Sequence, residues 1–139
     1  MTQNRMVLQL SCIPSNVGVA RMAVATFAAG SGFTVPDVEE IKVAVSEAVS
    51  NAVLHAYPDG SGEVVVRAFA EGGSLLVEVE DQGIGIRDLA KAREPGFTTA
   101  PDHMGLGFSF MESFMDDLSL ESSPGRGTTV RMVKRRCSP

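Results

Sequence analysis

Glu47, Asn51 and His55 recur at four-residue spacing in EAVSNAVLHAYPDG, residues 47 to 60. On a helix that spacing stacks three side chains in one row. A carboxylate, an amide and an imidazole so arranged can supply a general base, a hard oxygen ligand for a cation and a polar wall of a pocket. At about 100° per residue, Ile41, Val45, Ala48, Val49, Ala52 and Ala56 define a broad apolar arc. The polar row drifts toward the edge of that arc, and Val43 and Leu54 lie on its other flank. Apolar borders on both sides make it read as a pocket wall, while helix geometry leaves an ordinary surface stripe open as the other reading.

Three more segments carry chemistry. In DQGIG, Asp81 ends an apolar run and is followed by Gly83 and Gly85. The carboxylate can accept a hydrogen bond there, and the glycines let backbone approach a flat ligand closely. A plain turn is the alternative, and the glycine spacing does not fit a dinucleotide fingerprint. In HMGLGF, residues 103 to 108, Gly105 and Gly107 lead into a helical pattern, so free amides and the helix dipole could hold an anion or simply form a hinge. In GRGTTV, residues 125 to 130, Thr128 and Thr129 enter a strand after a turn.

The elements that must position these residues follow from periodicity. RMVLQLSC, residues 5 to 12, alternates as a strand; Ser15 is placed to cap a first helix that Gly30 and Gly32 end. Pro36 opens a second, longer helix that Pro58-Asp59-Gly60 breaks. EVVVRAFAEGGSLLVEVED reads as a hairpin turning at Gly72-Gly73. Residues 87 to 104 read as a long mobile loop, of the kind that is usually functional. A helix over GLGFSFMESFMDDL and two strands joined at Pro124-Gly125 complete the chain. Strands grouped late, without regular βαβ alternation, predict an α+β sandwich with helices on one face of a mainly antiparallel sheet.

With 139 residues the chain suits one domain, and 44% apolar with 21% charged residues suits a folded core rather than disorder. The net charge of −5 argues against nucleic acid as the main partner. No apolar run approaches the roughly 20 residues of a membrane span, so no membrane partner and a cytoplasmic location are expected. Cys12 and Cys137 form neither a zinc pattern nor a disulfide framework. Lys134-Arg135-Arg136 reads as a short solvated basic tail.

Taken in order, E-x-x-x-N on a helix, D-x-G-x-G after a strand, G-x-G at a helix and G-T-T on the last strand resemble the GHKL superfamily of ATP-binding domains. ARMAVATF, EAVSNAVLHAYPDG, GFTTAPDHMGLGF and FMESFMDDLSLESSPGRGTTVR narrow the resemblance to the sporulation anti-sigma factors that control sigma F, which are serine protein kinases. It extends from about residue 5 to residue 134. The resemblance implies a Bergerat-type two-layer α/β sandwich with a mixed, mainly antiparallel sheet, and binding of ATP or ADP with Mg²⁺. It implies Glu47 as the general base, Asn51 as the Mg²⁺ ligand and His55 as a pocket wall. Asp81 would accept a hydrogen bond from the adenine amino group, with Gly83 and Gly85 beneath the base and Thr129 beside it. Gly105 and Gly107 would offer amides to the phosphates under a closing lid. Arg21 falls where the family contacts its protein partners. Those partners would be sigma factor F, an anti-anti-sigma factor whose serine accepts phosphate, and a second copy in a homodimer. One departure stands out: the family's lid arginine before G-x-G is replaced by Asp102-His103-Met104, leaving His103, with Arg93 as the other candidate, for the terminal phosphate. A nucleotide-gated sigma-binding module without efficient phosphotransfer is the alternative that this departure raises.

Overall fold

The computed structural model describes residues 3–85 and 107–136. The chain runs β1 (Asn4–Ser11), α1 (Ser15–Gly30), α2 (Val35–His55), β2 (Glu63–Glu71), β3 (Ser74–Asp81), α3 (Gly107–Phe114), β4 (Asp117–Ser123) and β5 (Gly127–Arg135). The strands form one sheet in the order β1-β2-β3-β5-β4. Every pairing among the described strands is antiparallel, in line with the mainly antiparallel sheet expected. The local reason is the turns: Gly72 and Gly73 both hold positive φ, 59° and 82°, as a two-residue hairpin matched to strand twist requires.

Alternation along the strands sorts the side chains. One face carries Val64, Val66, Ala68 and Ala70 of β2, Leu75, Val77 and Val79 of β3, and Val130 and Met132 of β5, all buried. Against it pack Ala20, Val24 and Ala28 of α1, the α2 residues Ile41, Ala44, Val45, Ala48, Val49 and Ala52, and Met111 of α3. Five of the six residues of the expected α2 arc lie within the helix and line the core, and Ala56 continues it at the C-cap. The other sheet face carries ion pairs, Arg67 with Glu80 at 2.9 Å and Arg131 with both Glu78 and Glu121 at 2.5 Å.

Helix ends follow local chemistry, with one exception. The Thr34 hydroxyl accepts from the Asp37 amide at 3.3 Å, and Pro36 sits in the first turn where its missing N–H is no loss. Ser15 is not a cap: the helix begins at Ser15 itself, Pro14 occupies the capping position, and no side chain bonds to the helix start there. The basic tail is also corrected. Lys134 lies on the inner face of β5, 8% exposed, donating to Glu40 Oε1 at 2.8 Å and to the Phe114 carbonyl at 2.6 Å. Strand alternation places it there, because its stem can lie along the core while the ammonium finds two oxygens. Among the described residues no helix is long and apolar enough to cross a membrane. The segment 87 to 104, His103, Gly105 and Cys137 lie outside the described residues.

Ile41 is fully buried on the sheet-facing side of α2. Ile41→Ala should lower unfolding free energy by about 2–5 kcal/mol, read as a lower urea midpoint at unchanged slope. A loss under about 0.5 kcal/mol, the range of surface changes, would show that this side of α2 is not core.

Candidate functional site

Glu47, Asn51 and His55 all fall on α2 and are all half-buried, at the border between its core arc and its exposed side. On their outer flank Val43 and Leu54 are exposed, so the row is bordered by core on one side and open apolar surface on the other. Among the described residues the carboxylate of Glu47 and the amide of Asn51 bond to no other side chain, which leaves both groups available. Arg21 reaches across from α1, its Nη1 3.4 Å from Ser46 Oγ, beside Glu47 in the chain.

The end of α2 is held against the end of β3 by backbone contacts. Ala56 O accepts from the Ile84 amide at 2.9 Å, and Ile84 O accepts from the Gly125 amide at 2.7 Å. A Cβ on Gly83 would stand 2.1 Å from Ala56 O, and one on Gly85, at φ +78°, 2.0 Å from Ser123 O. Both glycines are therefore demanded by the chain's own backbone. Tyr57 adds a staple: its hydroxyl donates to Glu63 O at 2.6 Å and accepts from the Gln82 amide at 2.8 Å.

Asp81 ends β3 on the inner face, only 7% exposed. Its Oδ1 accepts from the Gly83 amide at 2.9 Å. Burial pushes its carboxyl above the ordinary range, while the Gly83 and Thr128 amides pull it partly back. Its charge is felt nearby: burial first, then Asp81, raise the Cys12 thiol to about 11.

The threonine expected beside Asp81 needs correction. Strand register pairs Asp81 with Thr128 and pairs Thr129 with Glu80 and Glu121, so Thr129 points to the opposite face. Thr128 shares the inner face with Asp81. The signal was in the sequence, since counting back by two from the core residues Val130 and Met132 reaches Thr128. Beside it on β4, Ser122 Oγ donates to Gly127 O at 2.9 Å and lies 2.8 Å from Thr128 Oγ1. Tyr57 and Ser122, unlike Thr128, carried no motif. Gly107 is the first residue of α3.

A family model described as histidine kinase-like ATPase domain matches residues 11–134. An anti-sigma F factor from Clostridium acetobutylicum is 42% identical over 137 residues, covering 97% of this chain and 96% of that protein. The Bacillus subtilis anti-sigma F factor is 43% identical over 135 residues, covering 95% and 92%. This chain belongs to the anti-sigma F factor family. Among solved structures, full-length ShkA in complex with AMPPNP superposes with a TM-score of 0.61 at 18% identity, over 90% of this chain and 30% of that one. At that identity the likeness shows a shared fold. For an anti-sigma F factor relative, then, the polar row on α2, the Asp81 strand end and the start of α3 sit on a histidine kinase-like ATPase scaffold.

The raised carboxyl of Asp81 has a pH signature. A folded-state value above the ordinary 3.8 means that the folded chain holds the proton more tightly than the unfolded one, so stability is lost as pH rises from 3.8 through the raised value. Asp81→Asn keeps an oxygen for the Gly83 amide and removes the charge. The variant should melt above the wild type at about pH 7, with the gap closing as the pH falls below 3.8. A gap of the same size at both ends would show that ionisation is not its source.

Proposed function

We propose that this chain is an anti-sigma factor that binds and inhibits sigma factor F and, as a Mg-ATP-dependent serine kinase, phosphorylates an anti-anti-sigma factor so that it cannot release the sigma factor. The observation that carries this reading is the alignment of chemistry along α2. Asp81 lies at its C-terminal end, through the Gly83 contact with Ala56, and Glu47 lies nine residues back. At 1.5 Å per residue that span is roughly 14 Å, suited to an extended nucleoside triphosphate with its base at Asp81 and its phosphates near Asn51.

Each residue then has a task. Asp81 accepts from the adenine amino group, and its burial makes that bond strong by excluding competing water. Thr128, on the same face, takes the place expected of Thr129. His55 lines the wall near the base. Gly107 offers its amide at the start of α3 to the phosphates, joined by Gly105. His103 is the candidate of this chain for the terminal phosphate.

Among the described residues no three His, Cys, Asp or Glu side chains gather to hold a metal. A single neutral amide oxygen at Asn51 fits Mg²⁺, which keeps waters and shares substrate phosphates instead of filling a protein cage. When bound, Mg²⁺ would neutralise charge on the phosphate oxygens. Glu47, one turn from Asn51, accepts the proton of the partner's serine hydroxyl. The serine oxygen bonds to the terminal phosphorus as the bond from that phosphorus to the bridging oxygen breaks, and ADP leaves.

Arg21 supports docking at this end of α1, because its reach to Ser46 sets a partner-contacting cation beside Glu47. The proposed setting is the cytoplasm. A homodimer joined along β1 would cover a sheet edge, and Val7 of β1 is 64% exposed.

The test is incubation with labelled ATP, Mg²⁺ and a cognate anti-anti-sigma protein. Label should appear on the partner's serine. Glu47→Ala should slow transfer by about 100-fold or more with little change in ATP affinity, whereas Asn51→Ala should weaken Mg-ATP binding by roughly tenfold or more. Wild-type transfer by both variants would overturn the assignment. Tight ATP uptake without label on the serine would leave a nucleotide-gated clamp on the sigma factor, the reading that the absent lid arginine favours.

A further inference from the structure

At the end of the sheet away from Asp81, the α1–α2 turn, the β2–β3 hairpin and the residue after β5 border a cavity of about 420 Å³. Ser74 lines it, and the length of β3, roughly 24 Å at strand rise, separates Ser74 from Asp81. None of its lining residues belongs to the candidate nucleotide site. Phe33 and Ala70, both buried in the core, give the cavity an apolar floor, and Arg136 gives it a cation.

Two glycines seat that cation. A Cβ on Gly32, at φ +91°, would stand 2.5 Å from Arg136 Nη1, so a bare backbone there leaves the guanidinium its place. A Cβ on Gly73 would stand 3.7 Å from Nε and 3.8 Å from Nη2, with no guanidinium carbon within 4 Å of that point. Near-equal distances to the two nitrogens, with the carbon behind them, mean that the Nε–Nη2 edge, not the flat face, is turned toward the space beside Gly73. That edge is the fork from which a carboxylate accepts two parallel hydrogen bonds. The Arg136 amide donates to Gly73 O at 2.7 Å, which fixes the root of the side chain on the hairpin. Nε is nevertheless unpaired: it is buried from solvent and has no acceptor. A desolvated N–H without a partner is a cost to the fold, and an incoming oxygen removes it. A small turn of the long side chain toward the cavity it lines would admit that oxygen.

Glu71 narrows the ligand. It also lines the cavity, and its carboxylate accepts from Gln3 Nε2 at 2.5 Å. An acid in the wall disfavours a second negative charge on the ligand, which sets a monoanion apart from a phosphate dianion. From the unpaired fork, the apolar floor and the neighbouring acid we propose that this cavity binds a small monocarboxylate with an apolar body, its oxygens on Arg136 Nε and Nη2 and its hydrocarbon against Phe33 and Ala70. An apolar wall with a few placed polar groups is the usual anatomy of a small-molecule site, and the volume is of the usual size. The planar fork, rather than positive charge alone, selects the ligand.

The experiment titrates butyrate into the isotope-labelled full chain and follows the arginine Nε–H signals by NMR, with ionic strength held fixed by exchange against sodium chloride. The Arg136 signal is the one missing from Arg136→Lys, which keeps the charge and loses the fork. It should shift saturably, and the backbone amides of Gly32 and Gly73 should shift with it, which places the ligand independently of the variant. Butanol, which has the same chain without the carboxylate, should bind the wild-type protein at least about tenfold more weakly. Arg136→Lys should bind butyrate at least about tenfold more weakly than the wild type. Butanol binding as tightly as butyrate overturns the proposal, and so does unchanged butyrate affinity in a folded Arg136→Lys. Tighter binding of inorganic phosphate than of butyrate overturns the choice of a monocarboxylate. If no arginine Nε–H signal of the wild-type protein shifts saturably, the proposal falls even where the variant fails to fold.

Discussion

The site depends on a close approach of backbone to backbone. The Gly83 position stands against Ala56 O, Gly85 against Ser123 O and Gly127 against Asp81 O, each at about 2 Å from where a Cβ would be. Only glycine can occupy such positions without moving main chain on one side or the other. These three contacts, with the bonds from Ile84 and Gly125 between them, tie the end of α2, the end of β3 and the β4–β5 turn into one knot. The row of polar groups on α2 acquires a fixed relation to Asp81 through that knot. The glycines of D-x-G-x-G thus serve the scaffold first, and any ligand at Asp81 meets a surface already set by them.

A carboxylate at 7% exposure inside an otherwise apolar sheet face is a standing cost to the fold. Two backbone amides offset part of it, and the upward shift of the carboxyl shows that they do not offset all. Packing would be served better by an apolar residue in the place where Val79 and Val77 precede it on the same strand face. The chain keeps the acid at the one point where the sheet face runs past the end of α2. Stability and the recognition proposed for Asp81 therefore pull in opposite directions at a single side chain.

Much of the fold was legible because its signals were local. Pro36, the paired glycines at 72 and 73 and the apolar arc of α2 each carry their own geometry, and each element appeared where periodicity put it. The candidate row on α2 was legible for the same reason, since helical spacing alone aligns Glu47, Asn51 and His55. What failed was register. Choosing Thr129 over Thr128 needs the parity of β5, and parity is fixed by which residues face the helices, a tertiary fact that the core residues Val130 and Met132 encode only once their face is known. Ser15 misled because a serine near a helix start is a common cap, yet here Pro14 already supplies the turn. Lys134 misled because a run of three basic residues suggests solvent, whereas strand alternation sends the first inward and the second outward. Ser122 and Tyr57 were invisible, because the contacts that hold them lie far along the chain or across a turn.

Lys134 also shows how the two ends of the helical layer are tied. Its ammonium lies between Glu40, early in α2, and the last carbonyl of α3, where a cation is favoured by the helix dipole as well as by the hydrogen bond. The start of α3 is Gly107, the end of the G-x-G pattern. One buried cation on β5 therefore anchors α3 at the end opposite Gly107. A helix held this way can present its first amides from a fixed axis. The parts of the candidate site that these contacts hold, α2, the Asp81 knot and α3, thus belong to one scaffold. That scaffold follows from where the chain placed Gly83, Gly85 and Gly127 and the inward Lys134.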